Sequence, residues 1–270
     1  VKMTEGGRVF DRWLQQQPVE QPEGTLTFEA LTDAGWVREE ELLDQLGREV
    51  ARNYVGPGEL AFVFDDLGAP EVADYLRTNK FPARTMTRHG DFGEIVTGAL
   101  YRRVRRWCVP VLKLRYKQTA AQAVQGTDVL AFRFRDDPPV VAVAEVKTRS
   151  RRDKQVASEA SESLEKVLER LDESLAFLMA RCADRQHFFL ARHLGALQRP
   201  GARRKIHRHI VFVHDADKWN DDMVTLVAGV VTQPTELTAV KIKDLKEFVA
   251  RVYWVAEAGL APRTHGGEAA

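Results

Sequence analysis

The stretch GTDVLAFRFRDDPPVVAVAEVK, residues 126–147, constrains the fold of this chain more than any other. It reads as two apolar strands joined by the turn Asp136-Asp137-Pro138-Pro139. Strand interiors favour β-branched and aromatic residues and are depleted in Asp, Glu and Lys. Yet Asp128 opens the first strand, and Glu145 and Lys147 close the second. The flanking VVAVA is nearly continuously apolar, as in a strand covered on both faces. Residues two apart share a face, so Val141, Val143, Glu145 and Lys147 point one way and Ala142, Ala144, Val146 and Thr148 the other. Antiparallel pairing through the turn brings Asp128 beside Glu145.

Elsewhere, periodicity outlines an α/β protein. Residues 1–24 are rich in Gln, Gly and Pro and read as a loosely held arm, with Val9, Phe10, Trp13 and Leu14 as its possible anchors. A helix is predicted over 36–56, a strand over 59–66 and a second helix over 69–81. From residue 91 the pattern predicts a helix (91–107), then strands over 109–118, 127–135 and 140–149. A long helix over 153–181 follows, then a strand over 207–215, a short strand and a terminal helix. The long helix carries Leu164, Leu168, Leu171, Leu175 and Leu178, a core-packing stripe. A run of strands bracketed by helices implies one mixed sheet in an α/β layer. The last residues read as a disordered tail.

Composition narrows the functional classes. The 270 residues are 44% hydrophobic and 29% charged, enough for one sizeable core or a core with a small subdomain. The net charge of +1 leaves nucleic-acid binding to local clusters. Cys108 and Cys182 lack metal-type spacing and read as reduced thiols of a cytoplasmic protein. No run approaches the roughly 20 apolar residues of a membrane span, and no leader suggests secretion. GPGEL at 56–60 lacks the Lys-Ser/Thr of a nucleotide-binding loop, so ATP hydrolysis is not expected.

Two carboxylates in a partly desolvated site repel unless a cation joins them. Mg²⁺ takes oxygen ligands, one or two carboxylates with water and substrate phosphate, and can neutralise charge developing on a phosphate. Asp128, Glu145 and Lys147 therefore indicate metal-assisted phosphodiester hydrolysis, with Mg²⁺, or Mn²⁺, as the ion. The bland alternative is a same-face ion pair on an exposed strand, contributing only about 0–1 kcal/mol.

Asp128 followed by Glu145-Val146-Lys147 on an apolar strand resembles the D…(D/E)-x-K signature of the PD-(D/E)XK, restriction-endonuclease-like nucleases. The runs GEIVTGALYRR, VLKLRYKQ, QGTDVLAF and AEVKTR are, more narrowly, similar to the HamA family, the nuclease subunits of the Hachiman anti-phage defence system. The resemblance spans roughly 90–257. It implies a nuclease core there (helix, three strands, helix, strand); outside it, composition and periodicity give an N-terminal arm and small α/β region over 1–89 and a tail over 258–270. It implies Asp128 and Glu145 as metal ligands, Lys147 as the catalytic lysine and Glu94 as a helix acid of the metal site. Gln155 corresponds weakly to an extra polar residue of some members. It also implies DNA as substrate and a HamB-like helicase subunit as partner. Gly-Thr-Asp stands here without the Pro-Asp dipeptide. A standalone repair or restriction nuclease, or a degenerate nuclease fold serving as a DNA-binding or helicase-docking module, are the rival readings.

Two basic regions are candidate phosphate contacts. One holds Arg102, Arg103, Arg105, Arg106, Lys113, Arg115 and Lys117. The other is a Gly/Pro-bearing loop with Arg203, Arg204 and Lys205. A solvated basic face is the plain reading of either. His207, His209 and His214 lack the further ligands of a zinc site and read as structural or phosphate-facing.

Overall fold

The computed structural model describes residues 5–56, 58–59, 74–75, 78–121, 126–151, 153 and 155–258. Residues 60–66 of the expected strand over 59–66, and most of the expected helix over 69–81, lie outside them. One six-stranded mixed sheet, ordered β1-β2-β6-β5-β4-β3, organises the chain. Its strands are β1 (Leu14–Gln17), β2 (Leu26–Asp33), β3 (Val129–Arg133), β4 (Val140–Arg149), β5 (Lys205–Asp215) and β6 (Thr235–Ile242). The four central strands run parallel, and β1 and β3 close the two edges antiparallel.

Helices cover both faces, as central parallel strands require. On one face α1 (Glu5–Trp13), α2 (Glu39–Tyr54), α3 (Thr85–Ala99) and α8 (Leu245–Ala258) enclose a core that takes Ala142, Ala144 and Val146 from β4. On the other, α4 (Val156–Glu169), α5 (Leu171–Asp184), α6 (Phe188–Ala196) and α7 (Asp222–Val230) pack on Val141 and Val143. The alternation read from β4 is therefore borne out. A π-helical turn, Leu100–Val104, extends α3. Gly93 marks where α3 meets β4, since a Cβ there would collide with Thr148 Oγ1 and stand 3.0 Å from Val146 Cγ1. Among the described residues, no helix is long and apolar enough to cross a membrane.

Three expectations need correction. From residue 9 the stretch expected as a loose arm is packed: Val9, Phe10, Trp13 and Leu14 are buried, and β1 joins the sheet. The strand expected over 109–118 is instead a bridge at Cys108–Phe132 and a 3₁₀ turn, Lys113–Tyr116. Cys108 and Phe132 exchange both backbone bonds, at 2.9 and 2.8 Å. The next bonded position would be Pro110, which has no N–H, so the ladder stops. The helix expected over 153–181 bends at Arg170 (φ −106°, ψ 20°) into α4 and α5. The bend keeps Leu164, Leu171, Leu175 and Leu178 buried against the sheet.

Candidate active site

The β3–β4 register pairs Val129 with Ala144, so Asp128 falls beside Glu145 one step on. Asp128 Oδ2 accepts from the Val146 N–H at 2.8 Å, which fixes the carboxylate against β4. Lys147 Nζ donates to Glu145 Oε1 at 2.9 Å, and the two side chains are only 18% and 8% exposed. That burial removes the exposed-pair reading. Glu94 reaches in from α3, and Lys113 stands between the acids, its Nζ 3.3 Å from Glu94 Oε2 and 3.4 Å from Asp128 Oδ1. Asp128, Glu145, Lys147 and Glu94 are thus brought together. Lys113 is a fifth member that sequence reasoning counted only as part of a basic region.

The cluster is strongly perturbed. Burial raises the Glu94 carboxyl to about 8, with the charges of Asp128 and Asp91 adding to it and Lys113 opposing. Burial, then Asp128, raises Glu145 against Lys147. Burial would lower the Lys113 ammonium, but Glu94 and Asp128 outweigh it and hold it up. One turn before Glu94 on α3, Asp91 accepts from Tyr54 and pairs with Lys117.

A cavity of about 370 Å³ opens beside Glu94, Lys113 and Asp128, with Lys166, Arg170 and Phe177 on its outer wall. Glu145 and Lys147 are not among its lining residues. The other candidates are dispersed. Gln155 is exposed at the start of α4. Arg203, Arg204 and Lys205 lie at the opposite end of the sheet, with Lys205 beside Val140. Seven strand residues at about 3.3 Å each place that loop about 23 Å from Lys147. Arg204 pairs with Asp172, Arg102 with Glu49 and Arg106 with Asp11.

A family model for HamA matches residues 7–255. The chain belongs to the HamA family. The match reaches well upstream of the 90–257 span that carries the sequence resemblance, which agrees with β2 being a sheet member. Membership in the HamA family supports a Hachiman defence protein. Comparison with curated proteins returns no match for this HamA-family chain.

Proposed function

We propose that this HamA-family chain is a divalent-metal-dependent DNA nuclease, the effector of a Hachiman complex that acts with a HamB-like helicase subunit. The observation that carries the reading is the convergence of Asp128, Glu145 and Lys147 from two paired strands into one buried cluster. No group of three or more His, Cys, Asp or Glu at metal-holding spacing occurs among the described residues. Mg²⁺ asks for less, since one or two carboxylates suffice beside water and phosphate. The all-oxygen pair Asp128 and Glu145 fits it, and Mn²⁺ takes the same donors.

Asp128 and Glu145 would hold the ion, with Glu94 as a further acid. When bound, the ion supplies Lewis-acid stabilisation of the phosphate and a more acidic water. The chain's own groups do the rest. The Val146 N–H orients Asp128. Lys147 holds an ammonium beside Glu145, where it neutralises charge growing on the phosphate oxygens in a site from which water is largely excluded.

Glu145→Gln keeps the shape and removes the charge. Incubated with duplex DNA and Mg²⁺ or Mn²⁺, it is expected to lose cleavage by at least about 10²-fold, the scale of losing one electrostatic stabiliser. Equal cleavage by wild type and Glu145→Gln would sink the assignment.

A further inference from the structure

The basic run at 102–117 is mostly neutralised by folding. Arg102 and Arg103 pair with Glu49, Arg105 with Glu29 and Glu236, and Arg106 with Asp11. Lys113 pairs with Glu94 and Asp128, and Lys117 with Asp91. Arg115 is different. Its Nε and Nη2 donate to the Arg52 carbonyl at the end of α2, at 2.9 and 2.7 Å. A Cβ on Gly56 would lie 4.0 Å from Arg115 Nη1 and 3.7 Å from Arg185 Nη2, so both guanidiniums come to one spot. Among the described residues, none of Arg52, Arg115 and Arg185 has a carboxylate at ion-pair distance. The nearest counter-charge to Arg52 is Glu49, already engaged by Arg102 and Arg103.

Arg115 and Arg185 are held in place. Arg185 lies 5.3 Å over the Tyr116 ring, and Arg181 lies 5.5 Å over Tyr116 and 5.7 Å over Phe177. Burial, then the charges of Arg185 and Arg52, pushes the Arg115 pKa down to about 10. Side chains fixed together against their own repulsion form a ready anion site, and guanidiniums suit phosphate oxygens geometrically. The position is equally telling. Tyr116 meets Phe177 edge-on at 5.7 Å, and Phe177 lines the cavity that runs to Glu94 and Asp128.

We infer that Arg52, Arg115 and Arg185 form a phosphate-backbone site that grips the DNA strand beside the cavity leading to the carboxylates. The inference rests on the reading that DNA is the substrate, but not on cleavage by this chain. Such contacts fix register without reading bases. Arg203, Arg204 and Lys205, at the other end of the sheet, have no part in it.

The test is the salt dependence of binding to a short labelled DNA duplex, measured by fluorescence anisotropy on the full chain in EDTA. The variant is Arg52→Ala/Arg115→Gln/Arg185→Ala, in which the introduced amide keeps a donor for the Arg52 carbonyl. It should flatten the log–log slope by about 2.7, three contacts at about 0.9 each. Arg106→Ala and Arg204→Ala, removing cations already paired with Asp11 and Asp172, should leave the slope unchanged. If the triple variant does not fold, as judged by its thermal melt, Arg185→Ala alone should flatten the slope by about 0.9. A wild-type slope in the variants, or no DNA binding by wild type at low salt, overturns the inference. Cleavage in Mg²⁺ is measured in parallel. A flattened slope with no wild-type cleavage keeps the phosphate site and discards the nuclease; an unchanged slope with cleavage does the reverse.

Discussion

Lys113 is the residue on which the electrostatics of the site turn. Its side chain is 11% exposed and stands between Glu94 and Asp128, which would otherwise face each other. The other ammonium nearby, that of Lys147, is taken up by Glu145. Lys113→Met keeps the length and removes the charge. Removing one partner of a buried pair costs about 3–5 kcal/mol, so the metal-free variant should melt well below wild type. The same surplus of negative charge should draw a divalent cation more strongly, so added Mg²⁺ should raise the melting temperature more in Lys113→Met than in wild type. A smaller Mg²⁺ response in the variant would mean that Lys113 assists the ion rather than standing in its place. This residue also marks the limit of what the sequence makes legible. Asp128, Glu145 and Lys147 stand out because charges are anomalous in apolar strands, and hairpin pairing fixes their neighbourhood. Lys113 lies in a stretch that alternates like a strand, and its true conformation depends on where Pro110 falls relative to the bonds from Phe132.

Between elements, a second polar cluster joins the sheet to the π-helical turn. Tyr101 O–H donates to His209 Nδ1 at 2.6 Å, and His209 Nε2–H donates to Thr238 Oγ1 at 2.8 Å. Thr238 O–H then turns to the carboxylates of Glu29 and Glu236, each 3.2 Å away. Arg105 binds both carboxylates, and His207 Nε2 lies 3.0 Å from Glu236. One network thereby ties β2, β5 and β6 to the turn after α3. Burial holds His209 well below its ordinary 6.5. The folded protein keeps this ring neutral while the unfolded chain takes up a proton below about 6.5, so the stability it contributes is present above that pH and lost as pH falls. Burial would raise Glu236, but the hydrogen bonds of His207 and Arg105 and the Arg105 charge outweigh it and hold the carboxyl well below its usual range, so its contribution fades only at lower pH. Between about pH 7 and about pH 5.5 the melting temperature of wild type should therefore fall relative to that of His209→Gln, while the raised carboxyls of Glu94 and Glu145 act alike on both. An equal drop in both would assign the acid sensitivity to another group. Elements with strong periodicity, such as α2, β4, β5 and α8, are legible in the sequence. β2 is not, because it alternates only over Leu26–Ala30 and Leu31 then follows buried Ala30; Glu29 makes sense only once Arg105 and β6 are beside it.

At the scale of the whole molecule, the N-terminal segment is part of the core. Trp13 is fully buried, stacked on Phe248 at 6.1 Å and edge-on to Phe10 at 5.8 Å. Trp13→Ala should cost about 3–5 kcal/mol in a urea melt, the usual range for a buried aromatic. A loss below about 1 kcal/mol would restore the picture of a loosely held arm. The pairing of β2 with β6 also bears on how such a chain comes into being. Glu29 and Thr238, which bond across those strands, are 209 residues apart in sequence. A ribosome delivers β2 long before its partner, and closing so large a loop is slow. Until β6 emerges, Phe28 and Leu26 have no strand on that side to shelter them. The nascent chain therefore finishes its sheet only once β6 has emerged, and a polypeptide halted before residue 235 should remain open to protease across its first strands while the 270-residue chain resists.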